Sequence, residues 1–552
     1  MKINIKRIQK SVLALSVVSL LSVTGCSDYL DVNTDPNNPL DSKLQQILPT
    51  VEAVIFESLG NGSGGLSDLT SQFVHHTVQR GTSNFYFVAG NEFSISNAWP
   101  NMYAGALMDI NQMIRKGTET QSYHYLGVAQ ILKAYTYSML VDVFGKAAYT
   151  EFGQAAANPF PKYDEGADVY PELFKLLDEA KTNLSKTVAT AQKLGTDDLV
   201  YGTSSNAADK WIRFANSLKL KLYNNVRLTS MYDATAVEAI LAEDKMINSV
   251  AGGFKLLYTS SNNPENRNPL FKQDYVDANA NQIDPYFYLI MSNQSSSLTG
   301  APLNPVLDGI VDPRVPYYFY NQLAGDPPQN AKYVASAKYG DFLSLWFASF
   351  NIDPNEGFDQ AQSYTRVGLY PCGGAYDDGS GTTAGVAAGQ NAGLGGAGYT
   401  RLYSYFHQLY TRAELSLTKS ASGDARDLFE EAMYASFDEV NELAPIDIAA
   451  GTIKTYVDAV LAKYDAADDN GKLELILTEK WIATFGFSVD AYTDYRRTGY
   501  PIMFDPATDN NPLTILNRAY PLSFPYFTDD LQINPNAPAQ RNPATDKVFW
   551  DN

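Results

Sequence analysis

Two consecutive stretches between Trp99 and Phe144 do most to limit what this chain can fold into. The first, Trp99 to Lys116, carries Met102, Tyr103, Ala106, Leu107, Ile110, Met113 and Ile114; the second, Ser122 to Phe144, carries Leu126, Ala129, Leu132, Tyr135, Met139, Leu140 and Val143. Spacings of three and four place each set on one face of a helix, so each helix has an apolar stripe to bury. The short link between them predicts that the two stripes face each other, and Gly145 supplies a natural stop for the second helix.

The design recurs along the chain. Residues 44 to 59 carry Leu44, Ile47, Leu48, Val51, Val54 and Ile55, with Pro49 expected near a first turn, while 64 to 98 read mainly as loop with broken helix. Pro171 is placed to open a helix striped by Leu173, Leu176, Leu177, Ala180 and Leu184. Asn206 or Asp209 can cap the helix of Trp211, Phe214, Ala215, Leu218, Leu222 and Val226, and a shorter helix is expected from Ala234 to Met246. The fold class is therefore mainly α, a stack of helical hairpins of solenoid type, although no strict 34-residue sequence repeat accompanies it.

Residues 251 to 400 break the pattern with Asn263-Pro264, Asp312-Pro313-Arg314, Asp326-Pro327-Pro328 and a Gly-rich run from Gly373 to Gly398. A connection this long inside an ordered protein is usually functional, and its many aromatics argue against general disorder. Helices return over Arg401 to Leu417, Asp424 to Val440, Ile453 to Tyr464 and Lys472 to Phe485, with Arg496-Arg497 following a helix end and a proline-rich tail beyond. The expected organisation is a helical scaffold over 44–250, a loop-rich insert over 251–400, and C-terminal helices with the tail over 401–552 packed back on the scaffold.

Lys2, Lys6, Arg7 and Lys10 precede thirteen uncharged residues, Ser11 to Val23, and the small pair Thr24-Gly25, the plan of a secretory signal over 1–25. At about 1.5 Å per residue the apolar part spans roughly 20 Å as a helix, short of a bilayer's roughly 30 Å, so a permanent transmembrane anchor is not expected. The turn formers of 26–43 read as a tether to the body. Without residues 1–25 the chain carries 37 basic against 61 acidic residues. Such a balance excludes nucleic acid as a partner, because polyanion binding needs clustered Lys and Arg. Four histidines and two cysteines supply no metal-ligand spacing, and His75-His76 cannot present both rings on one face. Nucleophile-elbow, His-Glu-x-x-His and Walker signatures are absent, and no cofactor is expected.

Leu21-Ser22-Val23-Thr24-Gly25-Cys26 resembles bacterial lipobox sequences, which implies that Cys26 becomes an acylated N-terminus. Further stretches, taken in order, resemble the SusD/RagB family of nutrient-binding outer-membrane lipoproteins. They are Cys26-Ser27-Asp28-Tyr29-Leu30-Asp31, Leu140-Val141-Asp142-Val143-Phe144-Gly145, Trp211-Ile212-Arg213-Phe214-Ala215-Asn216, Arg412-Ala413-Glu414-Leu415, Glu479-Lys480-Trp481-Ile482-Ala483, Tyr495-Arg496-Arg497-Thr498-Gly499-Tyr500-Pro501 and Tyr520-Pro521. The resemblance implies a tetratricopeptide-like scaffold with an irregular inserted subdomain, a lipid anchor in the outer membrane facing the cell surface, and a SusC-like TonB-dependent transporter as partner.

It also implies a ligand site where loops of the early chain meet the insert. Sugar or peptide binding needs flat apolar faces beside amide and guanidinium groups. The candidates are Arg80, Asn84, Phe85, Tyr86 and Trp99 from the early chain, and Asn293, Gln294, Tyr317, Trp346, Tyr364 and Arg366 from the insert. Taken singly, Trp99 at the start of an amphipathic helix reads as core, and Tyr317 can pack the insert on the helices. The expected function is non-catalytic capture of an oligosaccharide for the transporter. The alternatives are the same role for an oligopeptide, or a structural or adhesive surface lipoprotein.

Overall fold

The structure is a computed structural model that describes residues 42–78, 86–154, 157–277, 282–294, 304–322, 336–339, 341–347, 363–379, 392–502 and 519–551. Its scaffold helices are α1 (Leu44–Leu59), α2 (Leu66–Phe73), α3 (Phe93–Pro100), α4 (Met108–Glu119), α5 (Tyr123–Phe144), α6 (Gly166–Leu184), α7 (Ala207–Asn225) and α8 (Ala234–Glu243). After the insert's α9 (Pro285–Met291) come α10 (Tyr405–Lys419), α11 (Ala425–Leu443), α12 (Ala450–Ala466), α13 (Asp469–Ala483), α14 (Val489–Thr498) and, in the tail, α15 (Thr528–Ile533). Consecutive helices pack on one another through α4–α7 and again through α10–α12, and α10 also packs against α7 and α13. The mainly helical fold follows from the stripes that the sequence carries. No helix among the described residues is long and apolar enough to cross a membrane.

α5 is the axis of this arrangement. It starts after Ser122 and ends at Gly145, whose φ of +84° only glycine adopts without strain. Apart from Tyr123 and Lys133 every residue of α5 is buried, so it has no solvent face and its apolar stripe extends all round. Burial then requires partners for its polar atoms. Asp142 accepts hydrogen bonds from Tyr170 Oη (2.6 Å) on α6, Asn225 Nδ2 (3.0 Å) on α7 and Trp550 Nε1 (2.7 Å) near the C-terminus. One carboxylate thus holds four segments in register.

Several boundaries differ from the sequence expectation. Pro49 and Pro171 lie inside α1 and α6, because each helix begins about a turn earlier than the proline suggests. Residues 64 to 98 contain α2 and most of α3, and Pro100 removes an N–H at the point where α3 passes into a π-helical turn, Asn101–Leu107, before α4. Arg401 belongs to a strand rather than to a helix. Arg496 and Arg497 form the last turn of α14, a helix that the stripe analysis missed because its inward face is mostly polar. Arg497 pairs with Glu414 and Asp494, while Arg496 donates to the Asp142 and Leu522 carbonyls and lies over the rings of Tyr492 and Trp550. Both arginines are structural.

Five antiparallel two-stranded ribbons occur among the described residues: β1 (Thr77–Val78) with β5 (Gln282–Ile283), β2 (Lys146–Ala147) with β3 (Asp164–Glu165), β4 (Phe254–Leu257) with β10 (Tyr399–Tyr403), β6 (Phe319–Tyr320) with β9 (Arg366–Val367), and β7 (Ser336–Tyr339) with β8 (Phe342–Leu345). The β1–β5 ribbon joins Thr77 to Ile283 and Val78 to Gln282, and so stitches the early chain directly to the insert.

Candidate functional site

α2 ends at Phe73, and His75, at φ +58°, turns the chain into β1. A left-handed backbone is unusual for a histidine and persists only where the surroundings hold it. Here they do. His75 Nδ1–H donates to Asp284 Oδ2 (2.8 Å), and Nε2 accepts from Tyr86 Oη (2.6 Å). Asp284 also accepts from Tyr286 N–H (2.8 Å), which caps α9. The chain Asp284–His75–Tyr86 therefore binds both sides of the junction between the early chain and the insert.

Aromatic rings close around it. Phe347 stands edge-on to His75 at 4.5 Å and 4.9 Å from Tyr86, Tyr520 meets Tyr86 at 5.0 Å, and Trp346 packs on Tyr286 at 5.3 Å. The three members of the carboxylate–imidazole–phenol chain are buried, so it orders the junction and does not reach solutes. The neighbouring His76 is neutral: burial pushes it down to about 3. Its Nε2–H donates to the Trp481 carbonyl (3.0 Å), its Nδ1 accepts from Ser488 Oγ (2.8 Å), and the ring stacks on Trp481. Both nitrogens are engaged in holding the core.

Directly beside Tyr86 the surface is concave. A cleft of about 260 Å3 is lined by Tyr86, Phe87 and Val88 and, from the tail, Ala519, Pro521 and Asn542 to Ala544. Tyr86 is 5% exposed and Phe87 41% exposed, so Phe87 offers most of the accessible aromatic surface. A ring at such a lip can stack on the flat face of a ligand, with the Asn542 amide in reach of hydroxyls or carbonyls.

Of the candidates from sequence, Cys26, Arg80, Asn84 and Phe85 lie outside the described residues. Tyr86 and Trp346 come together in the aromatic cluster, Trp346 as a buried member. Tyr364 and Arg366 lie beside it, since β8 and β9 both pack against β5, and both side chains are buried. Arg366 sits over the Tyr275 ring (5.4 Å), and nearby burial pushes the Asp274 carboxyl up to about 7 against the pull of Arg366. Asn293 and Gln294 follow α9 and are half-buried, with Asn293 Oδ1 accepting from Gly309 N–H (2.9 Å). Tyr317 is elsewhere: its hydroxyl donates to the Ile446 carbonyl (2.7 Å), which fastens the insert to the segment after α11. Trp99 is buried between Tyr103, Phe144 and Tyr163 and belongs to a second concavity.

Sequence reasoning missed Asp284, Tyr286 and Phe347, which assemble around His75, and the tail residues that form the far wall of the cleft. Asp284-Pro285 has the form of a helix start, the one local signal available. Nothing local marks the tail, whose role depends on folding back across the early chain.

A family model described as "Starch-binding associating with outer membrane", of SusD-like type, matches residues 36–521. Among solved structures the fold is similar to that of a chitin-binding protein, with TM-score 0.67 and 19% identity over 92% of this chain and 100% of that one. It is also similar to a chitin-binding SusD homologue from Flavobacterium johnsoniae, with TM-score 0.63 and 18% identity over 92% of this chain and 97% of that one. A SusD homologue from Bacteroides uniformis gives TM-score 0.63 and 18% identity over 93% of this chain and 100% of that one. At these identities the likeness is one of fold. No curated protein matches the sequence.

Proposed function

Because the chain belongs to the SusD-like family, we propose that it is a non-catalytic, lipid-anchored binding protein of the outer membrane that captures an oligosaccharide at the cell surface and passes it to a SusC-like TonB-dependent transporter. The observation that carries this reading is the junction itself. The early chain and the insert are joined by β1–β5 and by Asp284–His75–Tyr86, and Tyr86 at the end of that chain also lines an aromatic-lipped cleft whose far wall is the tail. A rigid, preorganised wall with an exposed ring suits a glycan, whose apolar ring faces stack at little cost in side-chain entropy. The chitin-binding names of two structural relatives and the starch-binding description of the family model are the reason to test chitin and starch oligosaccharides first in the panel.

Phe87→Ala is expected to weaken glycan binding by about 1–2 kcal/mol without changing the fold, as for an aromatic contact near a hot spot. Affinity electrophoresis on a polysaccharide panel, with calorimetry on the retained glycan, measures it. Unchanged affinity in the variant would remove this cleft from the site, and release of shorter sugars during the assay would overturn the non-catalytic reading.

The partnership has its own test. Tagged protein solubilised from outer membranes in mild detergent is expected to carry Cys26 acylation by mass spectrometry and to bring down a TonB-dependent barrel protein. Obligate interfaces commonly exceed about 2,000 Å2, large enough to survive such handling. Recovery of the protein alone, with the transporter gene expressed, would count against the assignment.

A further inference from the structure

The second concavity lies between the end of α3, the loop after α5 and the tail. It encloses about 250 Å3. Trp99 and Tyr103 are buried at its floor, Phe152, Tyr163 and Phe527 are partly exposed walls, and Ile533 at the rim is 67% exposed. The volume suits a single ring or side chain more than a drug-sized ligand. Two of the residues that line it are ionisable acids, Asp529 and Asp530, and none is Lys, Arg or His.

Tyr163 Oη donates to the Asp530 carboxylate, and Asn534 Nδ2 donates to the Pro161 carbonyl (2.9 Å), so both donors are already used within the walls. Asp529 is exposed at the edge. A neutral sugar seated here can offer the two carboxylates only hydroxyl or amide hydrogen bonds, whereas a cation would also compensate their charge and lie against aromatic faces that attract it. Burial already raises the Asp530 carboxyl above its ordinary range, which makes further drying without charge compensation unfavourable. The chain's net charge of −20 adds a field of the same sign.

We propose that this concavity binds a hexosamine unit carrying a free ammonium, with its apolar ring face on the aromatic walls and its ammonium toward Asp529 and Asp530. The proposal rests on the carbohydrate reading above and narrows it to amino sugars at a site separate from the Phe87 cleft. An acetylated amino sugar keeps the ring but loses the charge, which makes the two forms a direct comparison.

Calorimetry at low ionic strength on the full chain in detergent, with glucosamine tetrasaccharide, its fully N-acetylated counterpart and the peptide Gly-Lys-Gly, tests it. The glucosamine form is expected to bind about tenfold more tightly than the acetylated form, and Asp529→Asn to remove most of that gain, as for a cation held by aromatic faces and a carboxylate. Asp529 is exposed, so its variant keeps the test interpretable should Asp530→Asn fail to fold. Equal affinity for the two sugars, a gain untouched by Asp529→Asn, or tighter binding of Gly-Lys-Gly than of glucosamine tetrasaccharide would each overturn the proposal. Binding of neutral glycans without an ammonium gain would overturn this inference alone. Binding of no glycan of any kind would overturn the carbohydrate reading with it.

Discussion

Arg314→Met is expected to destabilise the protein by about 3–5 kcal/mol, the range for removing one partner of a buried ion pair. The guanidinium is fully buried and meets Asp312 Oδ2 at 2.6 Å, Glu479 Oε2 at 3.0 Å and Ser436 Oγ at 2.9 Å, with its plane over the Phe437 ring. Burial opposes its charge, and Asp312 and Glu479 outweigh that opposition. Methionine fills much of the volume but leaves two carboxylates buried without a cation. Glu479 retains only the Tyr456 hydroxyl. Because Asp312 and Arg314 belong to the insert while Ser436 and Glu479 lie on α11 and α13, the loss should loosen the insert from the helices. Urea denaturation followed by circular dichroism measures the effect. A loss below about 1 kcal/mol would show that water enters and solvates the site, contrary to a dry network.

The second large effect is expected at Asp284. Asp284→Ala removes the acceptor of His75 Nδ1–H and the cap of α9 together, which should cost about 2–4 kcal/mol. His75 would then keep its left-handed backbone with one ring nitrogen unsatisfied, and Tyr86 would lose the imidazole that fixes it. Binding of whichever glycan the panel identifies should fall about tenfold, since the lip of the cleft follows Tyr86. Asp284→Asn keeps one side-chain oxygen, enough to accept from Tyr286 N–H and cap α9, but turns an NH2 group toward His75 Nδ1, and is expected to restore only part of the stability and of the binding. A stable Asp284→Ala protein with unchanged glycan affinity would separate the junction from the cleft and remove the basis for placing the site there.

Amphipathic periodicity, resolved locally, was sufficient for the helical class and for most of the helices. The stripes of α1, α4, α7, α11 and α12, and the stop at Gly145, are legible because burial of one helix face repeats every three to four residues and because only glycine enters a left-handed C-terminal position freely. The ordered motifs from Leu140 to Pro521 likewise sufficed to point to the family before any coordinates. Polar helices escaped this logic. α14 buries Asp490, Asp494, Arg496 and Arg497, residues that read as surface until Lys221, Lys480, Glu414 and the Asp142 carbonyl are brought beside them.

The site was legible only as a region. Tyrosine and tryptophan have an apolar body and a polar tip, so they suit a core and a binding lip equally, and local pattern cannot divide them. Tertiary structure made the division: Tyr317, Tyr364 and Trp346 became packing, and Phe87 became exposed surface. The junction was invisible for a related reason. His75 and Asp284 are 209 residues apart, and the tail that completes the cleft lies still further along. Sequence by itself determined the helical class and most of the helices that bury an apolar stripe, because that depends on neighbours three and four residues away. Which side chains meet across the molecule depended on how those helices pack, and this only the tertiary structure decided.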